Sequence, residues 1–292
     1  MAGADNFAHK TAPGPRDNDL HDNAADPPVP PGDAMHGTRS VERTLTLLRE
    51  LSHRGDFGWR LTDLAEQVGL DRGTCHRLLA CFVREGFARR HPGDVKYYPG
   101  QRLYELGLGM PAYHAFRERI EPRMERLARA TDSVASFLLR SGDEMVCAFQ
   151  KRGELELPGM LIRIGSWRPL FSAVAGLAML QRMPAPAAAE ILARNRREEI
   201  ARRGPRRLEA LDRLRARSAQ AGYGLTRGEL APGIWAMAEA VLDSGGQPLG
   251  ALTLSGSESQ LSEGWLSQAH AQLAETVQDI AADAAQCFRA PG

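Results

Sequence analysis

Metal-binding and disulfide chemistry have little to work with in this chain. Four cysteines in 292 residues, Cys75, Cys81, Cys147 and Cys287, stand far apart with no CxxC or Cys/His pairing, so neither a zinc site nor a disulfide framework is implied. That usage fits a reducing compartment. Long apolar runs are also missing, since none reaches the roughly 18 residues needed to cross a bilayer, and the N-terminus lacks the charged-then-apolar order of a signal peptide. The expected location is the cytoplasm, with no membrane partner. Beyond residue 100 the only histidines are His114 and His270, both in predicted helices, and no Ser, Cys or carboxylate stands in a recognisable nucleophile or acid/base arrangement. Catalysis is therefore not expected, and no cofactor is implied.

Net charge is nearly absent too, at +1, but it is unevenly spread. Thr38 to Glu105 holds 12 Arg and Lys against 9 Asp and Glu, whereas residues 1–37 hold 2 against 6. Residues 1–37 also carry six prolines and few large apolar groups, a composition that cannot bury enough surface to offset ordering and predicts a disordered tail. The remaining length suits two folded domains, and 43% hydrophobic residues are enough to build their cores.

The most informative stretch runs from Leu61 to Tyr98. Leu61, Leu64, Ala65 and Val68 recur at helical spacing, with Thr62 placed to cap the helix and Gly69 to stop it. Leu70 is an apolar plug for the turn. Asp71 can then cap a second helix whose Cys75, Leu78, Leu79 and Phe82 point inward. Arg72, Gly73, Thr74, His76 and Arg77 crowd its leading and opposite surface. A first turn of that kind is suited to a major groove, where Arg donates to guanine edges or phosphates, Thr meets a phosphate or a thymine methyl, and Gly lets the backbone come close. After Gly86 the pattern alternates: FARR, a turn at HPGD, then VKYYPG. Arg89, Arg90 and Lys96 on this hairpin are placed for the phosphate backbone. Before the motif, SVERTLTLLRELSHRG predicts a support helix with Val41, Leu45, Leu48 and Leu51 inward. The whole is a winged helix-turn-helix expected over 38–100.

A helical linker is expected over 101–116, broken near Gly109 to Pro111, and a second domain over 117–292. There VASFLLR and MVCAFQKR read as strands around SGDE, MLIRIG as another strand, and SAVAGLAMLQRM as a helix capped by Ser172. Arg-rich helices follow around 187–201 and 206–221. GIWAMAEAVLD and PLGALTLSGS are strands joined by SGGQ, and Glu263 to Phe288 closes as a helix. The fold class is α+β. Ser172 near a helix start and the hydroxyls of Thr253 and Ser255 can converge on a carbonyl or carboxylate, with Trp167, Trp235 and Met237 as apolar walls. These aromatic and Met residues serve equally well as plain core.

These residues resemble the IclR family of bacterial transcriptional regulators over nearly everything after Thr38. The likeness rests on SVERTLTLL, LTDLAEQVGLDRGTCHRLL, FARRHPGDVKYYPGQRLYELG, RIGSWRPLFSAVAGLAML and GYGLTRGELAPGIWAMAEAVLDSGGQPLGALTLSGS, in that order. The resemblance implies a winged helix-turn-helix joined to a GAF/profilin-like effector-binding domain, a homodimer or homotetramer, double-stranded operator DNA as partner, and control, more often repression, by a small metabolite. It implies the DNA contacts named above, with Gly73 standing where the family usually has Ser, and a pocket formed by Val174, Ala175, Thr226, Ile234, Ala236, Thr253 and Ser255. Where members that bind small carboxylates present Asp and Cys, this chain has Thr226 and Ala236, and a GKA phrase becomes Gly176-Leu177-Ala178. Those departures predict an effector less polar than a short keto acid. Glu229 is expected to anchor a loop. Two alternatives stay open: a C-terminal domain that serves only in oligomerisation, and nucleic-acid affinity in RNRREEIARRGPRR, where interleaved glutamates favour an ordinary solvated face.

Overall fold

The computed structural model describes residues 38–154, 162–229, 231–260 and 263–288. The expected disordered tail, 1–37, lies outside the described residues. Residues Glu42–Gly292 form one compact unit, and of the other unit, Met1–Val41, only the lead into the first helix is described.

The N-terminal part is built on α1 (Arg39–His53), α2 (Leu61–Gln67) and α3 (Arg72–Arg84), with short strands β1 (Trp59–Arg60), β2 (Ala88–Arg89) and β3 (Lys96–Pro99) in the antiparallel order β1-β3-β2. Leu47, Leu51, Trp59, Leu64, Ala65, Cys75, Leu79, Phe82, Ala88 and Tyr97 make its core. Gly69 closes α2 as expected. Its φ of 65° lets its own N–H reach Glu66 O at 3.1 Å and the Leu70 N–H reach Ala65 O at 2.9 Å, the paired bonds of a Schellman stop. Gly86 ends α3 by the same device, with Phe87 N–H donating to Phe82 O at 2.8 Å. Asp71 caps α3 through its carboxylate, which accepts from Thr74 N–H at 2.8 Å.

Two local expectations fail here. Thr62 does not cap α2: the N-cap position is Arg60, without a side-chain bond, and Thr62 sits inside the first turn donating to Asp63. Val41 and Leu45 are 56% and 60% exposed, not inward, because only the Leu47, Leu48 and Leu51 side of α1 meets the core.

The chain continues through α4 (Gln101–Leu108) and, after the expected break, α5 (Pro111–Ala130) into a six-stranded antiparallel sheet. Its strands are β4 (Val134–Ser141), β5 (Glu144–Arg152), β6 (Trp167–Pro169), β7 (Gly224–Arg227), β8 (Ile234–Leu242) and β9 (Pro248–Ser257), in the order β6-β5-β4-β9-β8-β7. The remaining helices are α6 (Val174–Gln181), α7 (Ala185–Arg203), α8 (Leu208–Ala221) and α9 (Glu263–Cys287). The chain is thus a mixed helix and strand protein with an N-terminal helix-turn-helix part and a C-terminal curled-sheet part.

The two-residue period of the strands sorts the core into two layers. Ala135, Phe137, Trp235, Met237, Leu252 and Leu254 face α5 and α9. Leu138, Ala238 and Ala251, displaced by one residue, face α6, α7 and α8. The α6 helix lies close against the sheet, since a Cβ on Gly224 of β7 would overlap the Val174 carbonyl, and close against the turn that precedes it, since a Cβ on Gly176 would overlap the Leu170 carbonyl. The turn before α6 is tied to α7 by Phe171 N–H donating to Asn195 Oδ1 at 3.2 Å. Ser172 is not the cap of α6. The N-cap position is Ala173, and the Ser172 hydroxyl donates to Pro169 O at 2.8 Å, one turn earlier. The expected strand MLIRIG is not formed where it is described: Ile162 and Arg163 are irregular, Ile164–Gly165 is a turn, and the strand begins only at Trp167.

Replacing Gly176 with Ala should lower unfolding stability by about 1–3 kcal/mol, since backbone on both sides has to move. Chemical denaturation of the variant at an unchanged midpoint would show that α6 is not seated so tightly.

Candidate nucleic-acid interface and ligand cavity

Arg72, Gly73, His76 and Arg77 are exposed along the start of α3, and Thr74 is half-buried beside them. Arg77 Nη2 donates to Thr74 Oγ1 at 3.1 Å, which holds the guanidinium alongside the first turn. The wing is pre-ordered. Arg89 Nε donates to Pro99 O at 3.1 Å, Arg90 Nη2 to Asp94 O at 3.2 Å with its guanidinium 5.1 Å from the Tyr97 ring centre, and Lys96 Nζ to Phe57 O at 3.0 Å. Asp94 organises the wing turn by accepting from Tyr98 Oη at 2.5 Å and Lys96 N–H at 3.0 Å, and these bonds hold its carboxyl below the ordinary range. Between the reading helix and the wing lies a cleft of about 380 Å³ lined by Arg60, Arg72, His76 and Arg90 together with Leu61, Thr62, Val95 and Tyr97. Three guanidinium groups around one cleft suit a polyanion backbone.

A second cavity, about 550 Å³, opens on the α6 face of the large sheet. It occupies the part of that face that α6 does not cover. Ser136, Gln150, Thr226, Ile234, Ala236, Thr253 and Ser255 form its floor, and Val174 and Ala175, the first residues of α6, form one side. Much of the hydroxyl donor capacity is already used: Thr226 Oγ1 donates to Glu229 Oε2 at 2.7 Å, Thr253 Oγ1 to Ser136 O at 3.2 Å and Ser255 Oγ to Val134 O at 3.5 Å. Those three groups therefore present acceptor lone pairs inward. Charge comes from the roof, where Arg168, Arg202, Arg203 and Arg207 stand with Glu198 and Glu199. Burial, and then the nearby Arg203 and Arg207, push Arg168 below the usual arginine range. Two of these arginines are paired, Arg202 with Glu50 at 3.6 Å and Arg207 with Glu199 at 3.0 Å. The remaining wall comes from the N-terminal part: Glu50, His53, Arg54, Trp59 and Gln67.

Glu229 fixes the edge of the floor. It accepts from Thr226, from Arg227 N–H at 2.6 Å and from Arg217 Nε. Burial alone would raise its pKa, but these bonds outweigh it and hold the group at about 2, against an ordinary 4.5.

Comparison with known proteins decides what this pairing of parts is. Residues 112–282 match the family described as "Bacterial transcriptional regulator IclR C-terminal", and residues 40–92 match "IclR helix-turn-helix domain". The chain belongs to the IclR family. Among curated relatives, a glycerol operon regulatory protein of Streptomyces coelicolor is 29% identical over 227 residues, covering 76% of this chain and 86% of the relative. The transcriptional repressor AllR of Klebsiella pneumoniae is 26% identical over 236 residues, covering 78% and 83%. A solved IclR-family regulator from Brucella abortus shares the fold with a TM-score of 0.70 at 24% identity, covering 86% of this chain and 94% of that one. An IclR homologue from Microbacterium hydrocarbonoxydans, solved with 4-hydroxybenzoate, has a TM-score of 0.60 at 23% identity, covering 84% and 98%.

Within this IclR-family chain, the anticipated DNA-contact residues gather along one helix and its wing. Of the anticipated effector residues, Trp167, Val174, Ala175, Thr226, Ile234, Ala236, Thr253 and Ser255 line one cavity. Trp235 and Met237 do not. Both are fully buried on the opposite face of β8, in the layer under α5 and α9, because each alternates with the cavity-facing Ile234 and Ala236. Sequence reading missed Arg60, which ends β1 and enters the cleft only because β1 pairs with the wing strand. It also missed the arginines of α7 and the whole wall from α1. Spacing carried no signal for either. Several arginines of α7 are engaged with acids: Arg194 meets Asp143 at 2.6 Å, Arg196 meets Asp212 at 2.6 Å and Arg202 meets Glu50 at 3.6 Å, and Arg207, in the turn after α7, meets Glu199 at 3.0 Å.

Glu229→Gln should cost about 1–3 kcal/mol of stability near neutral pH, since charged hydrogen bonds are lost. A carboxylate held at about 2 stabilises the fold above its ordinary 4.5 and stops doing so as pH falls toward 2. Denaturation curves of the two proteins should therefore converge across that window. A gap that stays constant with pH would remove Glu229 as the anchor.

Proposed function

We propose that this IclR-family regulator is a repressor whose operator affinity is set by an organic acid held in the 550 Å³ cavity. The observation that carries the effector half is the make-up of that cavity: a floor of small and hydroxylated side chains around Ile234 and Ala236, and an arginine-bearing roof beside the start of α6. First-turn N–H groups of a helix have no intrahelical partners and favour an anion. The volume falls within the roughly 300–1,000 Å³ of sites for compact organic ligands. An acid with an aromatic or branched body, larger than a short keto acid, suits both ends, and the neighbour complexed with 4-hydroxybenzoate is in keeping with that chemistry. Repression follows the relatives named as repressors.

The DNA half uses Arg72, Thr74, His76 and Arg77 in a major groove, Gly73 for close approach, and Arg60, Arg89, Arg90 and Lys96 on phosphates. The working division remains 38–100 for reading, 101–116 as linker and 117–292 for effector and assembly. Exposed Leu45, Tyr104, Leu106, Leu108 and Met110 supply apolar surface for a homodimer or homotetramer, which would place two reading helices on a roughly palindromic site. Such a protein works where the chromosome is, in the cytoplasm.

Operator binding of purified variants tests both halves. Arg72→Ala and Arg77→Ala should each weaken binding by about 1–3 kcal/mol with the fold intact. Unchanged affinity in both would sink the groove assignment. Ala236→Trp, which fills the cavity floor, should leave operator affinity insensitive to a panel of aromatic acids that shift the wild type. A normal dose response would remove the cavity from the account.

A further inference from the structure

The wall that α1 gives to the cavity has no part in reading DNA, yet it is held by a compact ionic and aromatic cluster. His53, the last residue of α1, lies with Nδ1 3.4 Å from Glu50 and Nε2 3.7 Å from Glu144 at the start of β5. Its ring packs 4.9 Å from the Trp167 ring of β6. Glu50 in turn meets Arg202 at the end of α7, 3.6 Å away. Burial alone would raise Glu50, but His53 and then Arg202 and Arg49 keep it lowered, whereas burial dominates at Glu144 and raises it. The side chains of Glu50 and His53 are about nine-tenths buried. On the N-terminal side the same helix end is rigid, because Trp59 Nε1 donates to Glu50 O at 2.8 Å and Arg54 lies 3.6 Å over the Trp59 ring.

We propose that this cluster is the transmission point of the regulator: the DNA-reading part is docked on the effector domain as a wall of the ligand cavity, through Glu50–Arg202 and His53–Glu144/Trp167. Arg202 both lines the cavity and holds Glu50, so an acid in the cavity competes with Glu50 for the same guanidinium. Occupancy then loosens the end of α1, and with it the core that Leu47 and Leu51 share with Cys75, Leu79 and Phe82 of the reading helix, without a signal having to travel through α4 and α5. The inference rests on the effector reading of the same cavity and adds to it the residues that convert occupancy into movement. Glu50 and His53 are largely buried while Arg202 is partly open to solvent, so the acid and the imidazole depend on their partners and the arginine can turn to another anion.

Hydrogen–deuterium exchange on the full chain tests this without a known ligand. In His53→Ala and in Glu144→Gln, exchange should rise by about 5-fold or more both in residues 54–60 and in residues 162–169, on opposite sides of the contact. The double variant should add little to the larger single effect, because the two side chains share one contact. Ala236→Trp, which fills the sheet floor without offering Arg202 a carboxylate, is the control and should leave exchange in residues 54–60 near that of the wild type. Exchange unchanged in residues 54–60 in both His53→Ala and Glu144→Gln would overturn the proposal, as would full additivity of the double variant or an equal rise in Ala236→Trp. Operator binding by the wild-type protein is read separately: a wild type that binds no specific operator counts against the regulator reading, whereas the exchange pattern of the variants bears on the docked wall alone.

Discussion

Everything in the C-terminal part depends on how closely α6 lies on the sheet. Gly224 removes the Cβ that would hold β7 off the start of α6, Gly176 removes the one that would hold α6 off the turn before it, and Asn195 ties that turn to α7. With α6 seated so deeply and only eight residues long, its apolar residues pack with those of α7 and α8 on that sheet face, and the cavity opens beside its first residues, Val174 and Ala175. Its polarity follows from the strand period: Ser136, Thr226, Thr253 and Ser255 face the cavity, while Phe137, Leu225, Leu252 and Leu254, one residue away, belong to the layer under α5 and α9.

A floor of small and hydroxylated side chains makes a weak recognition surface by itself, because its hydroxyl protons are largely committed to Glu229 and to backbone carbonyls. Charge recognition has to come from the roof. There Arg202 and Arg203 of α7 line the cavity together with Glu50 and His53 of α1, and under the proposed function a bound acid would meet both parts of the molecule.

Much of the fold was legible because its signals are local. Gly69, Gly86 and Asp71 act at the helix ends that their chemistry marks, the SGGQ turn joins β8 to β9 with Asp243 accepting from Gly245 and Gln247 N–H at 2.9 and 2.8 Å, and the α4–α5 break falls at Pro111. What failed was tertiary. Thr62 and Ser172 are good capping residues by type, but the chain enters those helices one or two residues away from where a cap would need them. Trp235 and Met237 have the right chemistry for a ligand wall, and a one-residue offset along β8 sends them to the other face. The α1 wall and Arg60 become visible only when segments distant in sequence pack together, and no periodicity records that.

The most direct test of the central claim is to map the genomic fragments retained by the purified protein at two salt concentrations. Phosphate-only binding decays steeply with salt, whereas base reading keeps its preference. A sharp, roughly two-fold symmetric motif that persists at the higher salt is the predicted result. A diffuse footprint that disappears with salt would contradict the assignment of α3 as a helix that reads sequence.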